Sequence, residues 1–410
     1  MPADPSSPIP AALAHLIHTD PRELLDAEAP HLLAYLAAVP DPRASRGCRH
    51  RLVAILAMAA AAVLAGARSI AAIAEWAADT PQPVRAALGA RRAAPEQFAV
   101  PAEATIRRTP ARLDADALAG AIGAWLADRQ RHDRGDGAGP DQRQRPQQRA
   151  VAVDGKMLRG AHPPNGDGRP VHLLACMDHT SRTVLAQRQV GGAPEEVPAF
   201  QPLLDGLDLA GAVVTADALH THPDTAEFLV AGKQAHYLFT VKANQPTLLA
   251  RCQHLPWHRV PVLDTSRDRG HGRIEHRTLK AVTVHHFGFP HTAQVLQVTR
   301  KTRALRARRW RTMTVYAVTS LTHAQGRPAR LADLLRGHWA IEALHHVRDV
   351  TFAEDTSQVR TGTGPSVMAC LRNLVIGLLG QAGAVNHAAE LRRHARDPRR
   401  PLATLGISLG

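Results

Sequence analysis

Strand-like and helix-like segments alternate between residues 149 and 245, and this alternation limits the possible folds more than any other feature of the chain. Five strands are predicted from alternating or continuous apolar residues, in AVAVDGKMLRG, VHLLACMDHT, TVLAQRQVGG, GAVVTADALHT and HYLFTVKANQ. The first three follow one another directly, whereas each of the last two follows a helical segment. Three strands in a meander, followed by strands alternating with helices, predict a mixed α/β sheet flanked by helices.

Other patterns divide the rest of the chain. Amphipathic and Ala-rich stretches predict an all-helical N-terminal domain over residues 29–128. Long β-branched segments with basic residues predict a β-rich insertion over residues 256–325. The remaining boundaries follow from proline, glycine and charge content: a flexible N-terminus at 1–28, a polar linker at 129–148, an α/β domain at 149–385 and a basic tail at 386–410.

The predicted N-terminal domain contains a candidate DNA-binding element. The segment PAEATIRRTPARLDADALAG predicts a short helix that Pro110 interrupts, because proline cannot continue a helix. Arg107 and Arg108 lie in this short helix, and short helices with basic residues resemble a helix-turn-helix. Plain helical packing explains the same pattern at least equally well, so both interpretations stay open.

The chain is strongly basic, with a net charge of +14. It contains 50 lysines and arginines, and only five of these are lysine. Arginine binds phosphate through two parallel hydrogen bonds, so this composition favours a polyanionic partner, most often nucleic acid. A general contribution of charge to solubility, or an arginine excess that reflects a GC-rich genome, is the alternative explanation.

Cysteine usage and hydropathy both predict a cytoplasmic protein without a membrane segment. The four cysteines are scattered without CxxC spacing, which argues against a zinc ribbon and against a disulfide framework. The N-terminal segment MPADPSSPIP lacks the basic and apolar regions of a secretory signal. The longest apolar run, residues 52–65, is too short for a membrane-spanning helix and predicts a buried one.

The segment 334–361 predicts an amphipathic helix with an unusual polar face. Apolar side chains recur at three- and four-residue steps, with one longer gap, at Leu334, Ile341, Leu344 and Val347. A second stripe, beside Trp339 and His345, contains His338, Glu342, His346 and Asp349. This face is either solvated or directs Glu342 into a site built by the strands upstream.

Two aspartates lie at the ends of predicted strands, Asp154 after AVAV and Asp217 after VVTA. Adjacent central strands and a packed helix can bring Asp154, Asp217 and Glu342 together. Three carboxylates without cysteine or three-histidine ligation suit the hard cations Mg²⁺ and Mn²⁺. Two such ions, roughly 4 Å apart, activate an attacking oxygen and stabilise a leaving one in phosphodiester chemistry.

Two other interpretations apply to these residues. Aspartates at strand ends commonly do no more than form turns. His338, Glu342 and His346 align along the predicted helix as zinc ligands could, but they lack the HExxH arrangement, in which two histidines flank a catalytic glutamate.

Five ordered segments resemble one family. The segments VAVDGKMLRGA, TADALHTH, YLFTVKANQPTLL, HGRIEHR and HWAIEALHHVRDVTFAEDTSQVR resemble, in that order, the DDE transposases of the ISAs insertion-sequence type, also called H-repeat-associated proteins. The segment DPRASRGCRHRLVAILAMAAAAVLAGARSIAAIAEWA resembles the helical domain associated with them. The resemblance runs from about residue 30 to about residue 380 and so covers most of the chain.

The resemblance implies an RNase H-like catalytic domain, with the β-rich insertion before the final catalytic helix. The residues that match the catalytic and metal-binding acids are Asp154, Asp217 and Glu342. Candidate DNA contacts are Lys156, Arg159, Lys242, Asn244, Gln245, Arg273, His338, Trp339, Arg107 and Arg108. A further matching motif, of unassigned role, contains His271, Arg273 and Glu275. The implied cofactor is Mg²⁺, as two ions, for which Mn²⁺ can substitute.

The function that the resemblance implies is cleavage of transposon-end DNA and joining of the freed 3′-hydroxyl to target DNA. The implied partners are the transposon inverted-repeat ends and the target DNA, bound by a homodimer at the bacterial nucleoid in the cytoplasm. Two alternatives are a relative that binds DNA but no longer transposes, and an RNase H-like nuclease without strand transfer.

Overall fold

The computed structural model describes residues 31–46, 48–133, 148–163, 168–270 and 272–409. The flexible N-terminus predicted at 1–28, most of the linker predicted at 129–148, and His271 therefore lie outside the described residues. None of the helices in the described part is both long and apolar enough to cross a membrane.

The N-terminal region is mainly helical. Its helices are α1 (Leu32–Ala37), α2 (Leu52–Leu64), α3 (Ile70–Asp79), α4 (Gln82–Ala87), α5 (Glu103–Arg108) and α6 (Ala115–Asp133). Almost every residue of α2 is buried, because alanines and branched apolar residues leave this helix no polar face. As predicted, the short helix α5 ends before Pro110, which begins a single 3₁₀ turn.

One short hairpin departs from the all-helical prediction for residues 29–128. Strands β1 (Arg91–Ala94) and β2 (Gln97–Ala99) pair antiparallel. Glu96 makes the turn with a left-handed backbone at φ 56°, and the backbone N–H of Phe98 donates to the side chain of Gln82 at 2.6 Å. Because this support comes from α4 and the segment has no β-branched residue, the local sequence contains no strand signal.

Within the described residues, nine further strands form one large sheet. They are β3 (Ala150–Met157), β4 (His172–Asp178), β5 (Val184–Val190), β6 (Val213–Ala216), β7 (His236–Val241), β8 (Asp264–Gly270), β9 (Arg273–Thr283), β10 (Gln294–Ala304) and β11 (Arg311–Thr319). Their order across the sheet is β5-β4-β3-β6-β7-β11-β10-β9-β8. β3, β4 and β5 form an antiparallel meander, and β6 then pairs parallel with both β3 and β7.

The β-rich insertion extends this sheet rather than forming a separate one. The first strand beyond β7 in the sheet is β11, which pairs antiparallel with it from Tyr316–Val241 to Thr319–Leu238. The strands β8 to β10 continue outward from β11 as an antiparallel meander. The predicted RNase H-like mixed sheet with a β-rich insertion is therefore confirmed.

Helices cover both faces of the sheet. On one face, α7 (Ala193–Leu204), α8 (Pro223–Glu227) and α9 (Pro246–His254) pack on a core that contains Val151 and Val153. On the other face, α10 (Pro328–Val350) and α11 (Gly364–Gln381) pack on Ala152 together with the N-terminal helices. Successive side chains of β3 therefore point to opposite cores, as strand geometry requires.

The basic tail predicted at 386–410 is folded in the described residues. It forms helices α12 (His387–Ala395) and α13 (Arg399–Thr404). Leu391, Leu402 and Leu405 are buried in the same core as α11 and the N-terminal helices. These three leucines anchor the tail, while its arginines dominate the local composition and conceal the apolar pattern.

Candidate active site

Asp154 and Asp217 lie side by side on adjacent strands. The parallel register of β3 and β6 pairs Val153 with Ala216. Asp154 directly follows Val153, and Asp217 directly follows Ala216. The strand predicted to end at Asp154 continues to Met157, because the residues after Asp154 remain paired with β4, whereas β6 ends immediately before Asp217. Asp217 also forms a turn, since its Oδ1 accepts a hydrogen bond from the backbone N–H of Leu219 at 2.9 Å. The turn-forming and metal-binding interpretations of Asp217 are thus compatible.

Strand alternation directs Asp154 towards helix α10. Ala152, two residues earlier, packs in one core cluster with Ile341 and Leu344 of this helix, and residues two apart share a strand face. The Nδ1 atom of His345, also on α10, lies 3.5 Å from Oδ2 of Asp154.

Helix α10 carries Glu342 on its exposed side. The helix buries the predicted apolar residues Leu334, Ile341 and Leu344 against the sheet. Glu342 lines a cavity of about 250 Å³ whose wall also contains Asp217, Lys242 and Trp339. The other walls are formed by the ends of β6 and β7 and by the insertion strands, so the cavity lies where α10 meets the extended sheet.

Burial and neighbouring negative charge raise the pKa of the Asp154 carboxyl to about 7. Burial is the largest cause, followed by the charge of Asp217, and Glu196 and Glu342 add smaller contributions. Burial also lowers the pKa of His345 well below its ordinary value, so this ring is neutral and does not balance the carboxylates. The negative charges of Asp217 and Glu342 therefore both disfavour ionisation of Asp154.

This donor set fits a hard divalent cation. Carboxylate oxygens are the ligands that Mg²⁺ prefers, and a group whose pKa is raised by like charges is stabilised by a bound cation. Asp154, Asp217 and Glu342 are the residues that would hold it. As the side chains stand in the described residues, no three His, Cys, Asp or Glu form a ready metal cluster.

The alternative zinc ligands do not converge. His338 is buried, and its Nδ1 lies 3.1 Å from Oγ1 of Thr215, whereas Glu342 and His346 are exposed. Nε2 of His179 lies 2.9 Å from the same hydroxyl. Burial lowers the pKa of His338 to about 4, so its ring is neutral. His338, predicted as a DNA contact, contacts Thr215 of β6 and also lines the cavity.

Lys156, another predicted DNA contact, has partners inside the protein. Its side chain is 7% exposed, and its Nζ lies 2.7 Å from Oδ1 of Asp349 and 3.9 Å from Oδ1 of Asp355. Arg159 differs, because its side chain is 78% exposed and its Nε lies 3.6 Å from Asp355, whose Oδ1 also accepts a hydrogen bond from the Arg159 backbone N–H at 3.3 Å. Lys156 therefore ties β3 to the end of α10, while Arg159 is open to a ligand.

The loop after β7 places Lys242, Asn244 and Gln245 beside Asp217. The side-chain amide of Asn244 donates to the carbonyl oxygen of Ala218 at 2.6 Å, which joins this loop to the turn after Asp217. Gln245 lies immediately before α9. Lys242 is exposed and lines the active-site cavity.

Trp339 contacts two arginines that the sequence analysis did not single out. The guanidinium carbons of Arg277 on β9 and Arg300 on β10 lie 4.1 Å and 5.0 Å from the ring centre of Trp339. Glu275 is buried and forms ion pairs with Arg277 and, at 2.6 Å, with Arg300. The Nε atom of Arg273 lies 3.7 Å from the same carboxylate. Glu275, from the motif that had no assigned role, thus holds the two arginines that pack the insertion against α10 one turn before Glu342.

A buried glutamate behind β3 was also missed. Glu196 on α7 pairs with Nε2 of His172 at 2.5 Å and with Nε2 of His220 at 3.1 Å. A Cβ atom at position 155 would overlap this carboxylate, so any larger residue beside Asp154 would force the Glu196 side chain to move. The glycine after Asp154 is the sequence signal for this close approach.

The two predicted N-terminal DNA contacts have different surroundings. Arg107 pairs with Glu103 one turn earlier on α5. Arg108 makes no such pair within the described residues and lines a second cavity.

Comparison with known proteins identifies the two parts of the chain. The family described as "Transposase DDE domain" matches residues 145–378, and the family described as "DDE_Tnp_1-associated" matches residues 33–126. The catalytic match contains Asp154, Asp217 and Glu342.

Similar proteins extend the match across most of the chain. The candidate transposase YncI of Escherichia coli O157:H7 is 24% identical over 380 residues, which are 88% of this chain and 90% of that protein. The H repeat-associated candidate transposase YhhI of Escherichia coli K12 is 24% identical over 366 residues, 86% of this chain and 91% of that protein. A cryo-EM structure of a piggyBac transposase synaptic complex with hairpin DNA matches with a TM-score of 0.40 and 11% identity, covering 97% of this chain and 81% of that one.

More than half of the chain matches the transposase domain, and the segment before it matches the domain associated with it. The transposase-domain match contains all nine described strands of the large sheet and helix α10, which follows the insertion. The chain therefore belongs to the family of transposases with a DDE domain.

Proposed function

We propose that the protein is an insertion-sequence transposase, which cuts transposon-end DNA and joins the freed 3′-hydroxyl to target DNA. The observation that carries the proposal is the position of three acids from separate elements of a strongly basic chain: Asp154 and Asp217 lie level on adjacent strands, and Glu342 lines the same cavity as Asp217. Clustered carboxylates near a site that must bind a polyanion require a cation, which supports metal dependence.

Asp154, Asp217 and Glu342 would hold two Mg²⁺ ions, for which Mn²⁺ can substitute. When bound, these ions supply the Lewis acidity that phosphodiester chemistry needs. The β3–β6 register holds the two aspartates level with each other. The packing of the buried face of α10 fixes the side of the helix from which Glu342 extends. The neutral His345 beside Asp154 leaves that carboxylate free for a cation once the proton is lost.

The DNA backbone is proposed to enter along the exposed cations around the cavity. Lys242 lines the cavity beside Asp217, and Arg159 is open to solvent. Asn244 holds the Lys242 loop in place through Ala218. Gln245, Arg273 and the exposed face of Trp339 remain candidate contacts at the rim. Lys156 and His338 support the site from within, because both are buried and have protein partners.

The test is cleavage and joining of a plasmid that carries the DNA flanking the gene, with Mg²⁺ or Mn²⁺ present. Asp154→Asn, Asp217→Asn and Glu342→Gln should each abolish cleavage while DNA binding is retained. Asp264→Asn is the matched control, because Asp264 lines the same cavity but is not among the charges that act on Asp154. It should cleave at the wild-type rate.

Nicking that persists in one of the three variants with Mn²⁺ would remove that acid from the mechanism. Cutting without joined products, and without preference for inverted repeats, would identify a nuclease that performs no strand transfer. Binding of DNA without any metal-dependent cleavage by the wild-type chain would identify a relative that no longer transposes. Two copies of the chain are expected on paired ends, which sedimentation of the DNA complex would measure.

A further inference from the structure

The N-terminal region contains a second cavity, separate from the carboxylates. It has a volume of about 500 Å³ and lies between the loop before α2, the β1–β2 hairpin and the end of α5. Six basic side chains of the described chain line it: Arg43, Arg49, His50, Arg91, Arg108 and Arg112. No acidic residue of the described part contributes to its wall.

The positive charge of this cavity is largely uncompensated. Arg43 pairs with Asp41 at 2.7 Å. Within the described residues, the other four arginines of the wall form no ion pair with a carboxylate. Bringing several like charges together costs free energy in the empty protein, and an anionic ligand offsets that cost.

His50 provides an independent indication of the same field. Its Nδ1 is buried and has no hydrogen-bond partner within the described chain. Burial lowers its pKa, and the charges of Arg91, Arg43 and Arg49 lower it further. An unsatisfied ring nitrogen among repelling cations is suited to a hydrogen bond with an anionic oxygen.

We propose that this arginine-lined cavity binds consecutive phosphates of a DNA strand, at a site distinct from the catalytic carboxylates. Each phosphodiester carries a single negative charge, so neutralising four unpaired guanidinium groups takes several phosphates rather than one small anion. The planar guanidinium matches phosphate oxygens with paired hydrogen bonds. The inference rests on the proposed function in one respect, namely that DNA is the substrate.

The wall of the cavity is hydrogen-bonded to the segment before α11. Arg112 lies in the 3₁₀ turn that begins at Pro110. Oγ1 of Thr363, immediately before α11, lies 2.9 Å from the carbonyl oxygen of Pro110 and 2.7 Å from that of Leu113. These hydrogen bonds link DNA bound in the cavity to the catalytic core, which suits a site that presents one end for cleavage.

The neighbouring arginines of α5 give a matched pair for the test. The full-length chain is titrated with a short fluorescently labelled duplex of arbitrary sequence, over a range of salt concentrations. Arg108→Gln should weaken binding by about threefold to tenfold and reduce the slope of log affinity against log salt by about one. Arg107→Gln should reduce the slope less than Arg108→Gln does, because the Arg107 guanidinium pairs with Glu103 and does not line the cavity.

The double variant Arg91→Gln/Arg108→Gln should reduce the slope by about two. Equal slopes for the wild type, the Arg108 variant and the double variant would overturn the inference. Circular dichroism melting checks that these exposed substitutions leave the fold intact.

A second readout is the ring titration of His50, followed by nitrogen NMR of the histidines with and without the duplex. Bound phosphates should raise the pKa of His50, and an unchanged titration would contradict the proposal. Both measurements use binding and not cleavage, so an inactive Asp154→Asn protein serves equally well. If the wild type cleaves normally and the arginine variants keep its salt slope, this site alone is rejected. If the wild type does not bind DNA at all, both proposals are rejected.

Discussion

The ammonium group of Lys156 lies 2.7 Å from Oδ1 and 2.8 Å from Oδ2 of Asp349. Lys156 is two residues after Asp154 on β3, and Asp349 is two turns after Glu342 on α10. This ion pair therefore joins the strand and the helix that carry two of the proposed catalytic acids. Since the lysine side chain is almost fully buried, its charge interacts with Asp349 and not with the solvent.

Replacing Lys156 by methionine should lower stability more than it lowers DNA affinity. Loss of the lysine leaves Asp349 and Asp355 without their shared cation, at a cost of about 1–3 kcal/mol in the free energy of unfolding. Urea unfolding measures this cost, and the double variant Lys156→Met/Asp349→Asn should recover part of it. Arg159→Met, at an exposed site, should do the opposite by weakening DNA binding with little effect on unfolding. A stable Lys156 variant with weakened DNA binding would restore Lys156 as a DNA contact.

Replacing Glu275 by glutamine should disturb the contact between the insertion and α10. Glu275 neutralises Arg277 and Arg300, which lie against Trp339, so its loss leaves two half-buried cations unpaired. We expect a loss of about 1–3 kcal/mol in unfolding free energy and a fall in cleavage rate, because Trp339 lies one turn from Glu342. Glu227→Gln removes an exposed pair with His291 and should cost no more than about 0.5 kcal/mol. Equal effects of the two substitutions would mean that the cluster does not position α10.

Replacing Gly362 by alanine should damage the junction between the N-terminal helices and the catalytic region. Gly362 has φ +53°, and a Cβ there would overlap the backbone carbonyl of Ala111. Left-handed strain and the clash together should cost about 2–4 kcal/mol. Gly383→Ala is the control, since Gly383 has φ +75° and open space around it, and should cost only about 1 kcal/mol. Similar urea midpoints for both variants would show that the backbone at this junction accommodates the added methyl group without loss of stability.

The stability of the metal-free protein should fall as the pH rises through about 7, because of Asp154. Its pKa is raised in the folded state from the ordinary 3.8, so folding favours the protonated carboxyl. This contribution, at most about 4 kcal/mol, is fully present below pH 4 and is lost as the carboxyl ionises. Thermal unfolding in a chelator should therefore show Asp154→Asn more stable than wild type on the alkaline side.

Adding Mg²⁺ should reverse this loss in the wild type above neutral pH and have a smaller effect in the variant. Parallel pH profiles of the wild type and Asp154→Asn in chelator would show that the carboxylates are not coupled.

Local patterns predicted the large elements well, because they depend on which face of an element is apolar. The alternation between residues 149 and 245 predicted the strands β3 to β7, and the stripe through Ile341 and Leu344 predicted the buried face of α10. The hairpin at residues 91–99 and the helices of the tail were missed, since their support comes from Gln82 and from a core formed by distant segments.

The sequence by itself determined the mixed α/β class, the basic charge and the two aspartates that follow apolar strand residues, because these depend on residue type and short-range periodicity. Tertiary structure alone decided which charges became partners. It placed Lys156 on Asp349, Arg277 and Arg300 on Trp339, and Glu196 behind Asp154. Each of these pairings joins residues far apart in the chain, so it depends on strand register and helix packing, which no local pattern encodes.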